Sequence, residues 1–296
     1  MRIGYPVRNL ALEQTRNMGL QVISLDVDMQ HQATRFNLDL LLDILRFNLE
    51  NGLMLYRISN ELIPNAVHPR NRFHWERDFL DVLAALGSFA LTHGMRLTIH
   101  PDIYTVIHSP NPRVRDNSLR DLRYQCRLLE TMGLGPDHKV QIHLGDLCED
   151  IATSLRLFVA AIKGLEPDIR ARLVIENDNQ LFTARDCLSV YEETGLPVVL
   201  DVLHHQIRGN GEALVEVLTL AARTWQDQRE PPMVEYSTQR PGKMPGKHDE
   251  SIDTNHFREF LSLLPPGPWD LMTEFKDRER SALEALKIFK QFCPAA

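Results

Sequence analysis

Six short apolar runs in this chain end on a group that can hold a proton or a metal ion. RLTIH ends on His100, KVQIH on His143, RLVIE on Glu176, PVVLD on Asp201, PMVE on Glu235 and DLMTE on Glu274. An ionised carboxylate at the end of an apolar run costs free energy unless something compensates its charge. One such residue would read as a hydrogen-bonded structural group. Six in succession read differently if the runs are parallel strands whose ends converge on a common axis. Four carboxylates brought together repel one another and hold protons unless cations neutralise them. Divalent metal is the economical solution, and two loop histidines, His204 in DVLHH and His248 in KHDE, extend the donor set to eight. His205, beside His204, is expected to face away. Eight donors are too many for one ion, so at least two ions are implied. Imidazole mixed with carboxylate, without thiolate, suits Mn²⁺, Zn²⁺ or Fe²⁺. Clusters of this kind serve hydrolysis of a phosphoester or isomerisation of a sugar.

Positioning these groups requires a parallel sheet, and the hydrophobic pattern predicts one. Strand-like runs fall at 2–5, 53–59, 96–100, 139–143, 172–177, 197–202, 232–237 and 270–275. Amphipathic helical stretches separate them at 37–52, 75–94, 117–133, 151–165, 184–195, 212–225, 255–264 and 278–292, with Gly52, Gly94 and Gly133 at helix ends. Strict alternation of near-continuous apolar strands with helices means a parallel sheet covered by helices. Eight such units in 296 residues are the count and size of a (β/α)₈ TIM barrel, one domain over residues 1–296. A doubly wound sheet is the competitor, but no glycine-rich phosphate fingerprint follows the first strand. Residues 6–36 read as a long polar loop lying across the barrel mouth.

Composition sets the outer bounds. The chain is 43% hydrophobic and 25% charged, which is ordinary for a globular protein. A net charge of −7 argues against non-specific coating of nucleic acid and leaves room for a local basic patch. Cys126, Cys148, Cys187 and Cys293 form no CxxC pair, so neither a disulfide framework nor a thiolate metal site is expected. The start, MRIGY, does not look like a signal peptide, and the most apolar helix carries Asp78 and Asp81. A soluble cytoplasmic monomer, with no membrane and no obligatory protein partner, is the expectation. Arg70, Arg72, Arg113, Arg115, Arg208, Arg240, Lys243 and Lys247 lie on loops after four of the strands. Together they could form a phosphate-gripping rim. Tyr5 and Tyr104 lie just past strand ends, where an aromatic ring either packs the barrel or wedges between bases.

With those residues in place, the sequence resembles the UV-damage endonuclease family, metal-dependent TIM barrels related in fold to endonuclease IV and xylose isomerases. The resemblance runs over nearly the whole chain, through RIGY, YRISNELIPNAVHP, IHP, IHLG, VIEND, LDVLHH, KHDESID and MTEFK. It implies hydrolysis of the phosphodiester immediately 5′ of a UV photolesion in double-stranded DNA, with a cluster of divalent ions, commonly Mn²⁺. It carries metal ligation to His100, His143, Glu176, Asp201, His204, His248 and Glu274, and places His68 close to the site. His100, Glu176 and Lys276 take catalytic roles by the same resemblance. Tyr5, Ile103 and Tyr104 take the places that probe the lesion.

Two departures stand out. Many members carry Lys-x-His-x-Ser at strand seven, where this chain has Met233-Val234-Glu235-Tyr236-Ser237. A carboxylate is also acceptable to Mn²⁺, so Glu235 is expected to touch metal. The family's Gln-Tyr wedge is Ile103-Tyr104 here, and an apolar wedge can still unstack bases. A sugar isomerase or epimerase on the same scaffold is the rival enzyme, and would need a closed, small pocket. A DNA-binding relative that has lost catalysis through the strand-seven changes is the rival outside enzymes.

Overall fold

The eight apolar runs are all strands, and they close on themselves. The computed structural model describes residues 1–20 and 25–292. Its strands are β1 (Arg2–Pro6), β2 (Leu55–Ile58), β3 (Arg96–Ile99), β4 (Val140–His143), β5 (Leu173–Glu176), β6 (Val198–Asp201), β7 (Met233–Tyr236) and β8 (Asp270–Thr273). All neighbours pair in parallel, in chain order, and β8 returns to β1 to complete a closed barrel. The helices are α1 (Val27–Asn51), α2 (Trp75–Asp78), α3 (Leu80–Thr92), α4 (Pro112–Thr131), α5 (Ile151–Lys163) and α6 (Pro167–Arg172). They continue with α7 (Ala184–Thr194), α8 (Val202–Ile207), α9 (Leu214–Arg223), α10 (Thr254–Leu263) and α11 (Glu279–Phe292).

Because side chains alternate between the two faces of a strand, a closed barrel sorts them into two cores that do not touch. The outward set, including Ile3, Leu97, Ile99, Ile142, Ile175, Leu200, Val234 and Leu271, merges with the helices into one large cluster. The inward set forms a second, small cluster of Leu55, Val174, Val199, Met233 and Met272, with Trp225 beside it. Two residues further along β2, β5, β6, β7 and β8, the same parity gives Arg57, Glu176, Asp201, Glu235 and Glu274. The inner apolar layer is therefore the floor on which the polar mouth is built.

Several helix boundaries differ from the sequence expectation. The loop expected over 6–36 includes residues 21–24, which lie outside the described residues, and α1 already begins at Val27, capped by Asp26, which accepts from the Met29 amide at 2.9 Å. The first turns of α1 are polar, so apolar periodicity does not reveal them. Gly19 and Leu20 of that loop border the barrel mouth. The expected helix 75–94 is two helices, broken at Phe79 (φ −123°, ψ 16°), whose buried ring packs 4.6 Å from His31. Helix α4 starts five residues early, with Asn111 as cap and Pro112 at the first helical position, where the missing amide costs nothing. Helices α6 and α8, six residues each, are too short to show a period. Among the described residues Cys126, Cys148 and Cys187 are unpaired thiols; Cys293 lies outside them. Among the described residues no helix is long and apolar enough to cross a membrane.

Candidate metal centre

Parallel strands all end at one rim, so the inward residues at their C-terminal ends meet. His143, Glu176 and Asp201 are the last residues of β4, β5 and β6; His100 and Glu274 follow β3 and β8 directly, and Glu235 is next to last in β7. Glu176 sits at the centre, 2% exposed. Its Oε2 lies 2.9 Å from His100 Nε2 and 3.6 Å from His143 Nε2, and its Oε1 lies 3.3 Å from His204 Nδ1. The four imidazoles form an arc, with ring centroids 4.9 Å apart for His100 and His143, 6.1 Å for His143 and His204, and 6.2 Å for His204 and His248.

Local chemistry fixes how these rings present themselves. His100 Nδ1 donates to the Pro101 carbonyl at 2.8 Å, which turns Nε2 toward Glu176. With Nδ1 protonated, a neutral His100 sets an Nε2 lone pair against a carboxylate, two acceptors facing one another. Asn177 braces the next pair of strands. Its side chain accepts from the Asp201 amide at 2.9 Å and donates to the Asp201 carbonyl at 3.1 Å, while its own carbonyl receives His204 Nδ1 at 3.0 Å. Asp201 Oδ1 caps α8 through the His204 amide at 2.7 Å, so the donor pair three residues apart is held by one short helix. His248 Nδ1 lies 2.8 Å from Ser237 Oγ.

Three groups of donors could each hold an ion, with donor atoms within 4.8 Å of one another: His100, His143 and Glu176; Glu176, Asp201 and His204; and Asp201, Glu235 and Glu274. Glu176 and Asp201 are shared, so the groups interlock. The donor set fits divalent cations on a further ground. His143 Nδ1 and Asp201 Oδ2 are buried without a hydrogen-bond partner, and such atoms are costly unless an ion or water meets them. The proton affinities agree. Burial and the neighbouring Glu176 and Glu274 push Asp201 up to about 7, against a lowering by His204. Burial raises Glu235 well above the carboxylate range, with Glu176, Glu274 and Asp201 adding to it and Arg57 opposing. Burial lowers His204, but Asp201 and Glu176 outweigh it and raise the ring to about 11. Without metal, these three groups collect protons in place of cations, while, against burial, His143, His100 and His204 hold Glu176 well below the carboxylate range, and Arg57 and His248 hold Glu274 down at about 2.

Sequence reasoning missed the compensating cation. Arg57, on β2, is 5% exposed in its side chain and pairs with both Glu235 and Glu274. Burial opposes its charge, yet Glu235, Glu274 and Glu176 raise its pKa above the ordinary arginine value. Gln141 on β4 completes the bridge, donating to Glu176 at 2.6 Å and to Glu235 at 2.7 Å. The signal was present in LMLYRIS: an arginine inside an apolar strand, two residues from Leu55 and so on the same inward face. Glu235 is therefore held through Oε1 by two protein partners, on a position where metal contact was expected.

Tyr5 is corrected outright. It is fully buried, belongs to the outer core, and packs 5.4 Å from Tyr56. Its hydroxyl donates to Asn48 at 2.7 Å and accepts from Asn9 at 2.8 Å. Gly4 and Pro6 take the inward parity of β1, Gly4 at the apolar floor and Pro6 at the rim beside Arg57, so Tyr5 must face the helices and does not reach the mouth. Ile103 and Tyr104 stand out into solvent, 64% and 79% exposed. His68 and Lys276 line the cleft, and neither belongs to the three donor groups. His205 is buried and belongs to none of the three donor groups.

The expected basic rim is partly dispersed. Arg208 donates to the Leu181 carbonyl at 3.1 Å and Arg240 pairs with Glu250. Arg113 and Arg115 are in the first turn of α4, not on a loop. Arg70, Arg72, Lys243 and Lys247 are exposed, while the cations lining the cleft itself are Arg57, Arg120, Lys276 and Arg278. The cleft encloses about 1390 Å³ above the donor groups and opens broadly to solvent.

Against that geometry, comparisons with known proteins agree. The family model described as UV-endonuclease UvdE matches residues 9–293. A UV DNA damage endonuclease of Clostridium perfringens is 31% identical over 293 residues, 98% of this chain and 71% of that relative. The crystal structure of SacUVDE superposes with a TM-score of 0.94 at 37% identity, covering 99% of each chain. Endonuclease IV from Thermus thermophilus superposes with a TM-score of 0.58 at 17% identity, over 86% of this chain and 95% of the other. That last likeness is one of fold alone.

Proposed function

The chain belongs to the UV-endonuclease UvdE family, and on that premise we propose that it nicks duplex DNA by hydrolysing the phosphodiester immediately 5′ of a UV photolesion, with at least two divalent ions. The observation that carries this proposal is the set of three interlocking donor groups, joined through Glu176 and Asp201, with His143 Nδ1 and Asp201 Oδ2 left without protein partners. Bound ions, Mn²⁺ ahead of Zn²⁺ and Fe²⁺, would supply water activation and charge neutralisation at the scissile phosphate.

The chain's own residues have separable tasks. Glu176 spans two donor groups with its two oxygens. His100 is held by Pro101 so that Nε2 faces the shared carboxylate. His204 and Asp201 are locked together by α8, and His248 closes the arc from the far loop. Glu235 commits Oε1 to Arg57 and Gln141, leaving Oε2 as the oxygen it would offer an ion beside Asp201 and Glu274. Lys276, at the rim, would hold a phosphate oxygen electrostatically, while His68 borders the DNA path. Ile103 and Tyr104 would enter the gap left by extruded lesion nucleotides. The open cleft with an exposed apolar pair at its edge suits a long polymer better than a small sugar, which would need enclosure.

The test is an end-labelled duplex bearing one defined photolesion, incubated with purified protein in Mn²⁺ or in chelator. A single nick directly 5′ of the lesion, in Mn²⁺ only, is expected. Equal nicking of undamaged duplex, or cleavage unaffected by chelator, would overturn the proposal. Ketose–aldose interconversion with the same ions would instead make it an isomerase.

A further inference from the structure

The loop after β7 is a braced hairpin, and its tip carries an apolar side chain that packs on nothing. Gln239 and His248 form an antiparallel bridge, the Arg240 amide donates to the Lys247 carbonyl at 2.7 Å, and the Asp249 amide donates to Thr238 at 2.9 Å. The Gln239 side chain fills the turn. It donates to the Arg240 carbonyl at 3.0 Å and the Met244 carbonyl at 3.1 Å, and accepts from the Gly246 amide at 2.8 Å. Gly246 (φ +84°) seats the stem on the loop after β5, since a Cβ there would fall 1.6 Å from Asn179 Nδ2. On this stem Met244 is 75% exposed, between Pro241 and Lys243 on one side and Pro245 and Lys247 on the other.

A lone exposed methionine needs no explanation. Its placement does. In a closed barrel of eight strands in chain order, β3 and β7 lie diametrically opposite. Ile103 and Tyr104 follow β3, and Met244 follows β7, so the three most exposed large apolar side chains among the described residues are carried by loops that rise from opposite sides of the barrel. Lys243 and Lys247 are exposed and, among the described residues, have no ion-pair partner, so the apolar tip is flanked by charges suited to backbone phosphates. The stem of the same hairpin carries His248 into the cleft. A tip engaged with DNA would thus be mechanically tied to His248, which stands beside His204 and Glu274 and belongs to none of the three donor groups.

We propose that Met244 is a second wedge, inserting into the base stack from the side opposite Ile103 and Tyr104, with Lys243 and Lys247 on the phosphates beside it. A thioether on an unbranched chain is slim and polarisable, and methionine is among the side chains that unstack base steps. The assignment rests on the nuclease proposal above. It commits the hairpin tip to DNA and not to a second copy of this chain.

Stopped-flow fluorescence tests it, with 2-aminopurine placed opposite a photolesion in a duplex and Mn²⁺-loaded protein. Wild type is expected to raise the fluorescence as the base is unstacked. Met244→Ser should lose most of that rise and bind lesion duplex about tenfold more weakly, as for loss of one stacking contact. Met244→Leu should retain both. Thermal midpoint and bound metal should be the same in all three proteins. A Ser variant that unstacks and binds like wild type overturns the wedge while leaving lesion nicking intact. A wild type that sediments as a dimer, and becomes a monomer with Met244→Ser, overturns it in favour of self-association. A wild type that neither nicks nor unstacks lesion duplex overturns this assignment and the nuclease proposal together.

Discussion

The inward parity of β3, β4 and β8 carries a charged or titratable residue at, or one position beyond, each strand end: Arg96 and His100 for β3, Lys139 and His143 for β4, Asp270 and Glu274 for β8. At the N-terminal base the charges meet protein partners of opposite or neutral character. Asp270 receives Arg2 at 2.7 and 2.8 Å and Arg96 at 2.7 Å, and Arg2 reaches on to Glu230. Arg96 lies 5.2 Å from the face of Trp225, and Lys139 donates to the Ala171 carbonyl at 2.9 Å and to Gln228 at 2.7 Å. At the mouth, the one guanidinium ion-paired with any of the four carboxylates among the described residues is that of Arg57, which meets Glu235 and Glu274. Among the described residues the buried atoms without a partner include, at the base, the donor Arg96 Nη2, which no cation satisfies, and, at the mouth, the donor Arg57 Nε and the acceptor Asp201 Oδ2. One end is neutralised from within, and the other is built to be completed from outside. The same strand parity produces both, so the difference lies in side-chain chemistry and not in fold.

The largest expected effect breaks the mouth. Glu176→Gln removes the carboxylate shared by two donor groups, and lesion nicking should fall by at least about 10³-fold. Metal content measured by mass spectrometry should drop by one ion or more; full retention would remove Glu176 from its bridging place.

Arg57→Met and Asp270→Asn sharpen the contrast, because each strips a buried charge of its partner and should cost about 3–5 kcal/mol in metal-free protein. Urea unfolding with and without excess Mn²⁺ separates them. Cations should restore part of the loss in Arg57→Met, where carboxylates were exposed to one another, and none in Asp270→Asn. Equal responses to Mn²⁺ would mean that the two ends do not differ as described.

A smaller, pH-dependent effect belongs to Lys139 at the base. Burial first, and then Arg96, lower Lys139 from 10.5 to about 8. Between those values the unfolded chain binds a proton that the folded chain has lost, so Lys139 adds a rise of stability with pH through that window, against the opposite slope from His204, whose raised pKa leaves the extra proton on the folded chain. Lys139→Met should abolish that rise and be more stable than wild type below pH 8, by up to about 3 kcal/mol. Parallel pH profiles of the two proteins would show that Lys139 is not held down by its surroundings.

Particular residues show how far the sequence could be read. His143, Glu176 and Asp201 were legible because an apolar run stopping on a titratable group is a local signal, and strand ends in a parallel barrel share a rim. Glu235 was legible as a mouth residue, yet its partner was not, since Arg57 lies 178 positions away. Tyr5 was misread because strand limits known to within a residue leave parity open, and one step of parity exchanges the barrel interior for the helix layer. Helix α1 was half missed because its polar first turns gain their place by packing and capping, not by periodicity.

Local pattern alone was enough for the count of strands, their alternation with helices, and a barrel whose rim collects carboxylates and imidazoles, since periods of 2 and 3.6 are written in near neighbours. Closure of the barrel decided the rest. It set which parity faces inward, brought Arg57 and Gln141 onto Glu235, and placed the loops after β3 and β7 opposite one another. Those are contacts between segments far apart in the chain, fixed only when all eight strands pair at once.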